Sequence, residues 1–354
     1  MGRTKNPVPG NLPPLRPAPS STPPARSASH PAGRRAARTR IVVWTVLLAL
    51  FVPVLGAAAQ GPENGRPSLG FIPLPRALAA QLAEPAPLAA DLPLALDWRD
   101  RGIITRAKSQ QSCGACWSFA ATACVEAMCV KEGAPADLDL SEQYPISCDV
   151  EFRPEYGVSN EGCCGGTVTI FEFLRENSPV PESAFPYGNG DFDGAGPRSC
   201  DPTPSWQTVP CPTGDPGSAG WRVISWSLIA PQPIPGVDQL KAALQAGPVW
   251  LGYHVYEDFI DYWYHNADPQ TPYTHVDGAF LGGHAVLLIG YDDTRSCWIV
   301  KNSWGLTGPF QDGTFLIAYD ANCDFGVNAA RITVAADPTP LRHATLGNIR
   351  ALFR

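Results

Sequence analysis

Three side chains far apart in this 354-residue chain could act on a single bond: Cys116, His284 and Asn302. The stretch Gln110-Gln111-Ser112-Cys113-Gly114-Ala115-Cys116-Trp117-Ser118-Phe119 sets two cysteines where a loop turns into an apolar helix. A thiol in the first turn of a helix faces unpaired backbone N–H groups and the positive end of the helix dipole. Both favour the thiolate, which is the nucleophile. His254, His265 and His275 sit among polar and aromatic loop-like residues. His284 instead follows Gly282-Gly283 and opens the apolar run from Ala285 to Gly290. Further on, Trp298-Ile299-Val300-Lys301-Asn302-Ser303-Trp304-Gly305 ends a strand with an amide and an indole. Asn302 can accept an imidazole N–H and orient the ring without adding charge, and Trp304 can shield that bond from water. Nucleophile, base and orienting group are what cysteine hydrolysis requires. Taken alone, the Cys113–Cys116 spacing favours a redox dithiol, or a four-thiolate zinc site with Cys163 and Cys164, and the contexts of Gln110, His284 and Asn302 reverse this.

The elements that must position these groups are legible from periodicity. A helix starting near Ser112–Cys116 runs to about Lys131 on the apolar pattern Phe119, Ala120, Ala123, Val125 and Met128, and Gly133 and Pro135 stop it. Ser141 reads as the N-cap of a second helix through Ile146, and a third covers Thr167–Asn177. Gly, Pro and Asp crowd positions 183–220, which reads as long loops. Beyond Trp221 one helix, Val237–Gln245, interrupts strands expected at Pro248–Tyr253, His284–Gly290, Cys297–Lys301 and Thr314–Tyr319. A helical first half and a strand-rich second half predict an α+β fold of two lobes with a cleft between them.

Around this body, 94–336, lie segments of different character. Residues 1–40 hold nine prolines, eight basic residues and no acid, a composition expected to stay disordered. The rest of the chain then has 18 basic against 33 acidic residues, a net of −15 that argues against nucleic-acid binding. Ile41 to Ala59 is uncharged, follows a basic flank and ends in small residues, as an export signal or an uncleaved signal anchor would. Both place the body on the oxidising side, secreted, periplasmic or extracellular, or else tethered to the membrane through 41–59. Eleven cysteines agree with that compartment, and an odd number leaves at least one thiol free. Residues 60–93 read as a linker or short propeptide with one short helix, Ala77–Leu82, and 337–354 as a loose tail.

The sequence resembles the papain/cathepsin family of cysteine peptidases. The motifs that carry the likeness are Leu96-Asp97-Trp98-Arg99, Gln110 through Phe119, Leu140-Ser141-Glu142-Gln143, Gly162-Cys163-Cys164-Gly165-Gly166, Ala246-Gly247-Pro248-Val249, Gly282-Gly283-His284-Ala285-Val286 and Lys301-Asn302-Ser303-Trp304-Gly305. The resemblance implies the two-lobed papain-like fold, with Cys116 as nucleophile, His284 as base and then acid, and Asn302 as orienting group. Gln110 would add a side-chain N–H to an oxyanion hole beside the backbone N–H of Cys116. Gly165 and Gly166 would offer a bare backbone edge to an extended peptide. Ala285, Val168 and Ala330 would line the pocket for the second residue before the cut, where small apolar walls predict hydrophobic or aromatic side chains. It further implies bridges Cys113–Cys163 and Cys148–Cys200, with Cys124, Cys129, Cys164, Cys211, Cys297 and Cys323 unassigned. A monomeric endopeptidase acting on proteins or peptides, without cofactor or metal, is the expected activity. A catalytically silent peptide-binding protein on the same scaffold is the alternative.

Departures from the family pattern are visible too. Cys116 and His284 are 168 residues apart, against roughly 130–150 in relatives. The excess is expected in surface loops near 150–160, 183–220 and 265–280. No cysteine precedes His284 closely to meet Cys323, and Gly308-Pro309-Phe310 replaces the usual second Trp-Gly. About 35 residues separate Gln60 from the body, too few for the family's large inhibitory propeptide, so latency would need another device.

Overall fold

The computed structural model describes residues 69–85, 91–150, 152–188, 209–266 and 268–337. The expectations for 1–59 and for the tail lie outside these residues. No described helix is long and apolar enough to cross a membrane.

The chain opens with α1 (Arg76–Gln81) and β1 (Ala95–Asp97), then three helices, α2 (Cys116–Lys131), α3 (Gln143–Cys148) and α4 (Ile170–Glu176). There follow β2 (Trp221–Leu228), α5 (Val237–Leu244), β3 (Val249–Tyr256), α6 (Glu257–His265), β4 (Phe280–Asp292), β5 (Cys297–Lys301), β6 (Thr314–Ala318) and β7 (Val327–Ala336). The sheet order is β2-β7-β3-β4-β5-β6, with β1 on β4, and each of these pairings is antiparallel. This is the α+β arrangement of a helical part and a sheet.

Helix α2 is buried on every side from Cys116 to Cys129, so it is a core helix rather than a surface one. Its first turn packs between the sheet and the loop of Gly162–Cys164. Trp117 Nε1 donates to the Gly162 carbonyl at 3.0 Å, and Trp250 Nε1 donates to the Trp117 carbonyl at 3.2 Å. The Ser141 hydroxyl accepts from the Tyr144 amide at 3.0 Å, which satisfies one open donor at the start of α3.

Three elements were not foreseen. Strand β2 carries a bulge between Val223 and Ser225, which breaks its two-residue alternation. Strand β7, also unassigned from the sequence, is its long partner. Helix α6 fills part of a stretch that reads as polar and aromatic loop. It buries Phe259 and Trp263, one turn apart, and has Glu257 and Asp258 in its first turn.

One disulfide differs from the expected pairing. Cys148 bonds to Cys211, not to Cys200. Ser147 Oγ donates to the Val209 carbonyl at 2.6 Å, which lays the 209–211 segment against the end of α3 and brings Cys211 to Cys148. Cys113 bonds to Cys163, and Cys164 is also in a disulfide. Cys116, Cys124, Cys129, Cys297 and Cys323 are free and buried, so Cys323 stands without a bridge.

Candidate active site

Two elements deliver the reacting groups to one place. Cys116 is the first residue of α2, behind Ala115, which offers no side-chain cap. His284 lies in β4 opposite Tyr253 of β3. The backbone N–H of Ala285, next to His284, acts on the Cys116 sulfur, as do those of Cys116, Trp117 and Gly70. Helix tip and strand thus face each other across the cleft.

The imidazole is held from one side. His284 Nε2 and Asn302 Oδ1 are 2.7 Å apart, and the Ser303 amide donates to the same oxygen at 2.8 Å. With Oδ1 an acceptor, Nε2 is the protonated nitrogen of a neutral ring. Nδ1 is buried without a hydrogen-bond partner, which leaves it for the thiol. The Trp304 indole lies over the pair, 4.8 Å from the His284 ring and tilted 35°. Trp263, at 5.2 Å, and Phe259, at 5.7 Å, back that indole from α6.

Gln110 is fully buried and is tied to the loop that carries Asn302. Its amide donates to the Ser303 carbonyl at 2.9 Å, and its Oε1 accepts the Ser303 hydroxyl at 2.6 Å. Its Nε2 donates to the Cys113 carbonyl at 2.8 Å. Ser303 thus orients the Gln110 amide, a role the sequence analysis did not assign.

The stretch that reads as a linker or short propeptide crosses this site. Residues 69–75 run through the cleft as a strap. The Ile72 amide donates to the Gly166 carbonyl at 2.9 Å, the Gly166 amide to the Gly70 carbonyl at 2.8 Å, and the Phe71 amide to the Gly283 carbonyl at 3.0 Å. This is a parallel rung on the expected peptide-binding edge. Gly70 passes so near the Gly114 carbonyl that a Cβ there would overlap it. Phe71 drops its ring against Gly252, where a Cβ would likewise collide with the phenyl carbons. The strap is then pinned further along. The Leu74 amide donates to Asn328 Oδ1 at 2.8 Å, and Leu82 and Glu84 pair with Leu228 at the end of β2. Gly252, Gly283 and Trp250 are thus the groups at the Phe71 ring. Ala285 is the register partner of Gly252, and Val168 and Ala330 are fully buried in the same apolar cluster as Phe71.

Burial opposes the electrostatics expected of a thiol at a helix tip. Burial pushes the Cys116 thiol up to about 11, against the pull of the four backbone amides. Burial also pushes His284 down to about 4, with the Asn302 bond opposing it. Burial therefore favours the neutral form of both groups.

A model of the papain family of cysteine proteases matches residues 92–335. The chain belongs to that family. It is 30% identical over 227 residues to digestive cysteine proteinase 3 of Homarus americanus, covering 63% of this chain and 60% of that protein. To cathepsin L2 of Homo sapiens it is 28% identical over 256 residues, covering 69% and 66%. The chain therefore spans about 60–66% of the length of these relatives. Among solved structures it is similar to xylellain, a cysteine protease from Xylella fastidiosa, with a TM-score of 0.55, 22% identity and coverage of 76% and 97%. It is also similar to a digestive procathepsin L2 proteinase from Tenebrio molitor larval midgut, with a TM-score of 0.54, 25% identity and coverage of 77% and 79%. Within this papain-family fold the dithiol and zinc readings lose their ligands, because Cys113 is bonded to Cys163 rather than paired with Cys116.

The other histidines of the folded region serve other ends. His254 pairs with Asp324 at 3.2 Å, His265 with Asp261 at 3.0 Å, and His275 with Asp258 at 3.0 Å.

Proposed function

We propose that this chain is an exported papain-like cysteine endopeptidase, held latent by its own residues 69–75. The observation that carries the reading is the His284–Asn302 bond of 2.7 Å, with His284 Nδ1 buried and unpartnered and the Ala285 amide on the Cys116 sulfur.

Once the strap leaves, water and substrate reach the site and the burial that keeps both groups neutral is relieved. Proton transfer from Cys116 to His284 then gives a thiolate at the helix tip and an imidazolium held by Asn302. The thiolate attacks the carbonyl carbon of a peptide bond. The oxyanion takes hydrogen bonds from the Cys116 backbone N–H and, after leaving the Cys113 carbonyl, from Gln110 Nε2. His284 protonates the leaving amine, the C–N bond breaks and a thioester remains. Water, deprotonated by His284, attacks the thioester and releases the acid and Cys116. Loss of one oxyanion donor typically costs about 2.7–4 kcal/mol of transition-state stabilisation.

The buried ring of Phe71 supports a hydrophobic or aromatic side chain in the pocket at Gly252, with Gly165 and Gly166 as the peptide-binding edge. The disulfides support an oxidising compartment for the folded body. N-terminal sequencing of protein from its host distinguishes release near Gln60 from retention of the 41–59 segment as an anchor.

Activity is tested by incubating the chain with an epoxide that alkylates thiolates and with fluorogenic peptides, under conditions that release the strap. One epoxide per chain on Cys116, lost in Cys116→Ser together with hydrolysis, is expected. Folded protein that takes up no label and cleaves nothing is a silent binding protein instead.

A further inference from the structure

Behind Asn302 lies a buried cluster of charges that the peptide-cleavage scheme does not use. Lys108 Nζ contacts Glu126 Oε1 at 2.9 Å, Asp139 Oδ1 at 2.6 Å, Glu142 Oε1 at 2.9 Å and the Leu140 carbonyl at 2.7 Å. Thr105 Oγ1 donates to Glu126 Oε2 at 2.5 Å and accepts from Lys301 Nζ at 2.9 Å. Glu126 is therefore satisfied at both oxygens. Glu142 is not, because its Oε2 is buried with no partner, and neither is Asn302, whose Nδ2 is buried and unpartnered as well. The buried Lys301 ammonium, on the residue preceding Asn302, makes one hydrogen bond where it has three protons to offer.

These groups border one small cavity of about 10 Å³, lined by Lys108, Glu126, Glu142, Lys301, Asn302 and Ser303 together with apolar side chains. That volume is about one water molecule's worth, and a buried water typically makes about three hydrogen bonds to such groups. Leaving a buried acceptor or donor unsatisfied costs on the order of 1–3 kcal/mol each.

We propose that an ordered water in this cavity joins Glu142 Oε2, Asn302 Nδ2 and Lys301 Nζ, which makes Glu142 a positioning residue for the His284–Asn302 pair. The water accepts from the Asn302 amide and the Lys301 ammonium and donates to Glu142. An acceptor behind Nδ2 fixes which end of the amide faces His284. Oδ1 then always meets the imidazole N–H, and the Ser303 amide holds that oxygen from the other side. The charges acting on Glu142 are Lys108, Glu126, Glu182 and Lys301, with Asp139 on the far side of Lys108. Burial and neighbouring Glu126 raise Glu142, with Lys108 opposing through its contact at 2.9 Å.

The inference rests on the peptidase reading, and its test separates the two. Wild-type chain, Glu142→Gln and Glu142→Ala are compared for epoxide labelling, kcat and KM across pH, and a high-resolution crystal structure of the wild type is examined at the cavity. The expected result is stoichiometric labelling in all three. Glu142→Ala should lose about tenfold in kcat with KM within about twofold, and Glu142→Gln should lose less. In both, removing a negative charge should move the limb that reports loss of the imidazolium to lower pH, which a general loss of stability would not do. Density should show a water about 2.7–3.2 Å from both Glu142 Oε2 and Asn302 Nδ2. An empty cavity, or unchanged kcat and pH limbs in the folded variants, overturns the proposal while leaving the peptidase reading intact. A wild type that neither labels nor cleaves removes both.

Discussion

Phe71 and Trp250 meet edge to face, with ring centroids 5.6 Å apart and planes at 75°. The first belongs to a segment ahead of the body and the second to β3, beneath the peptide-binding edge. Their contact seats the chain's own aromatic side chain in the pocket proposed to set specificity.

Phe71→Ala should loosen the strap. Phe71 is 5% exposed, and losing a buried phenyl costs about 3–5 kcal/mol in a core. With part of that recovered by water entering the pocket, the rate of Cys116 alkylation in the intact chain should rise on the order of 100-fold, since about 1.4 kcal/mol is tenfold. An unchanged rate would mean that this ring does not hold the strap.

Gly252→Val should reshape the pocket. The added side chain would occupy the space now filled by the phenyl ring. Substrates with Phe at the second position before the cut should lose most of their kcat/KM, while Ala or Val there should lose little. Comparing two fluorogenic peptides that differ at that residue alone checks the ratio, and an equal loss for both would count against the pocket assignment.

Acid should open the site. His284 ordinarily titrates at 6.5 and is held down to about 4 under the strap. In the opened state before Cys116 gives up its proton, the imidazole takes up between those values a proton that the closed form refuses, so the closed form keeps its advantage over that state above pH 6.5 and loses it as pH falls towards 4. Short acid pulses followed by epoxide labelling should show exposure of Cys116 growing across that window, and a flat response would contradict the pKa shift.

Disulfide mapping should recover a peptide joining Cys148 to Cys211. That bridge closes a loop with a sequence separation of 63 residues, and such a closure stabilises by about 4 kcal/mol in the chain-entropy picture. Cys148→Ser with Cys211→Ser should lower the thermal midpoint clearly. A Cys148–Cys200 peptide would restore the pairing expected from the resemblance.

Sequence legibility followed the range of the forces involved. Helix α2 declared itself because nearly every residue from Phe119 to Cys129 is apolar or small, and a core helix needs no partner to be recognised. His284 and Asn302 stood out because glycines and an indole frame them at the ends of apolar runs. Strand β2 hid behind its bulge. Helix α6 hid because its packing on Trp304, through Trp263 and Phe259, comes from a distant loop. Cys148 could not be paired from spacing, since the Ser147–Val209 contact that selects Cys211 is tertiary.

The sequence by itself determined the chemistry: a cysteine at a helix start, a histidine at a strand start and an amide to steer it, each written in residue types and local spacing. Only the tertiary structure decided the state of that chemistry. Residues 69–75 fall in the stretch that reads as a linker or short propeptide, because nothing within them specifies structure. Their order comes from backbone bonds to Gly166 and Gly283 and from a ring seated at Gly252, all supplied by residues far along the chain. The same burial turns a thiol favoured as thiolate by its helix into one pushed up to about 11.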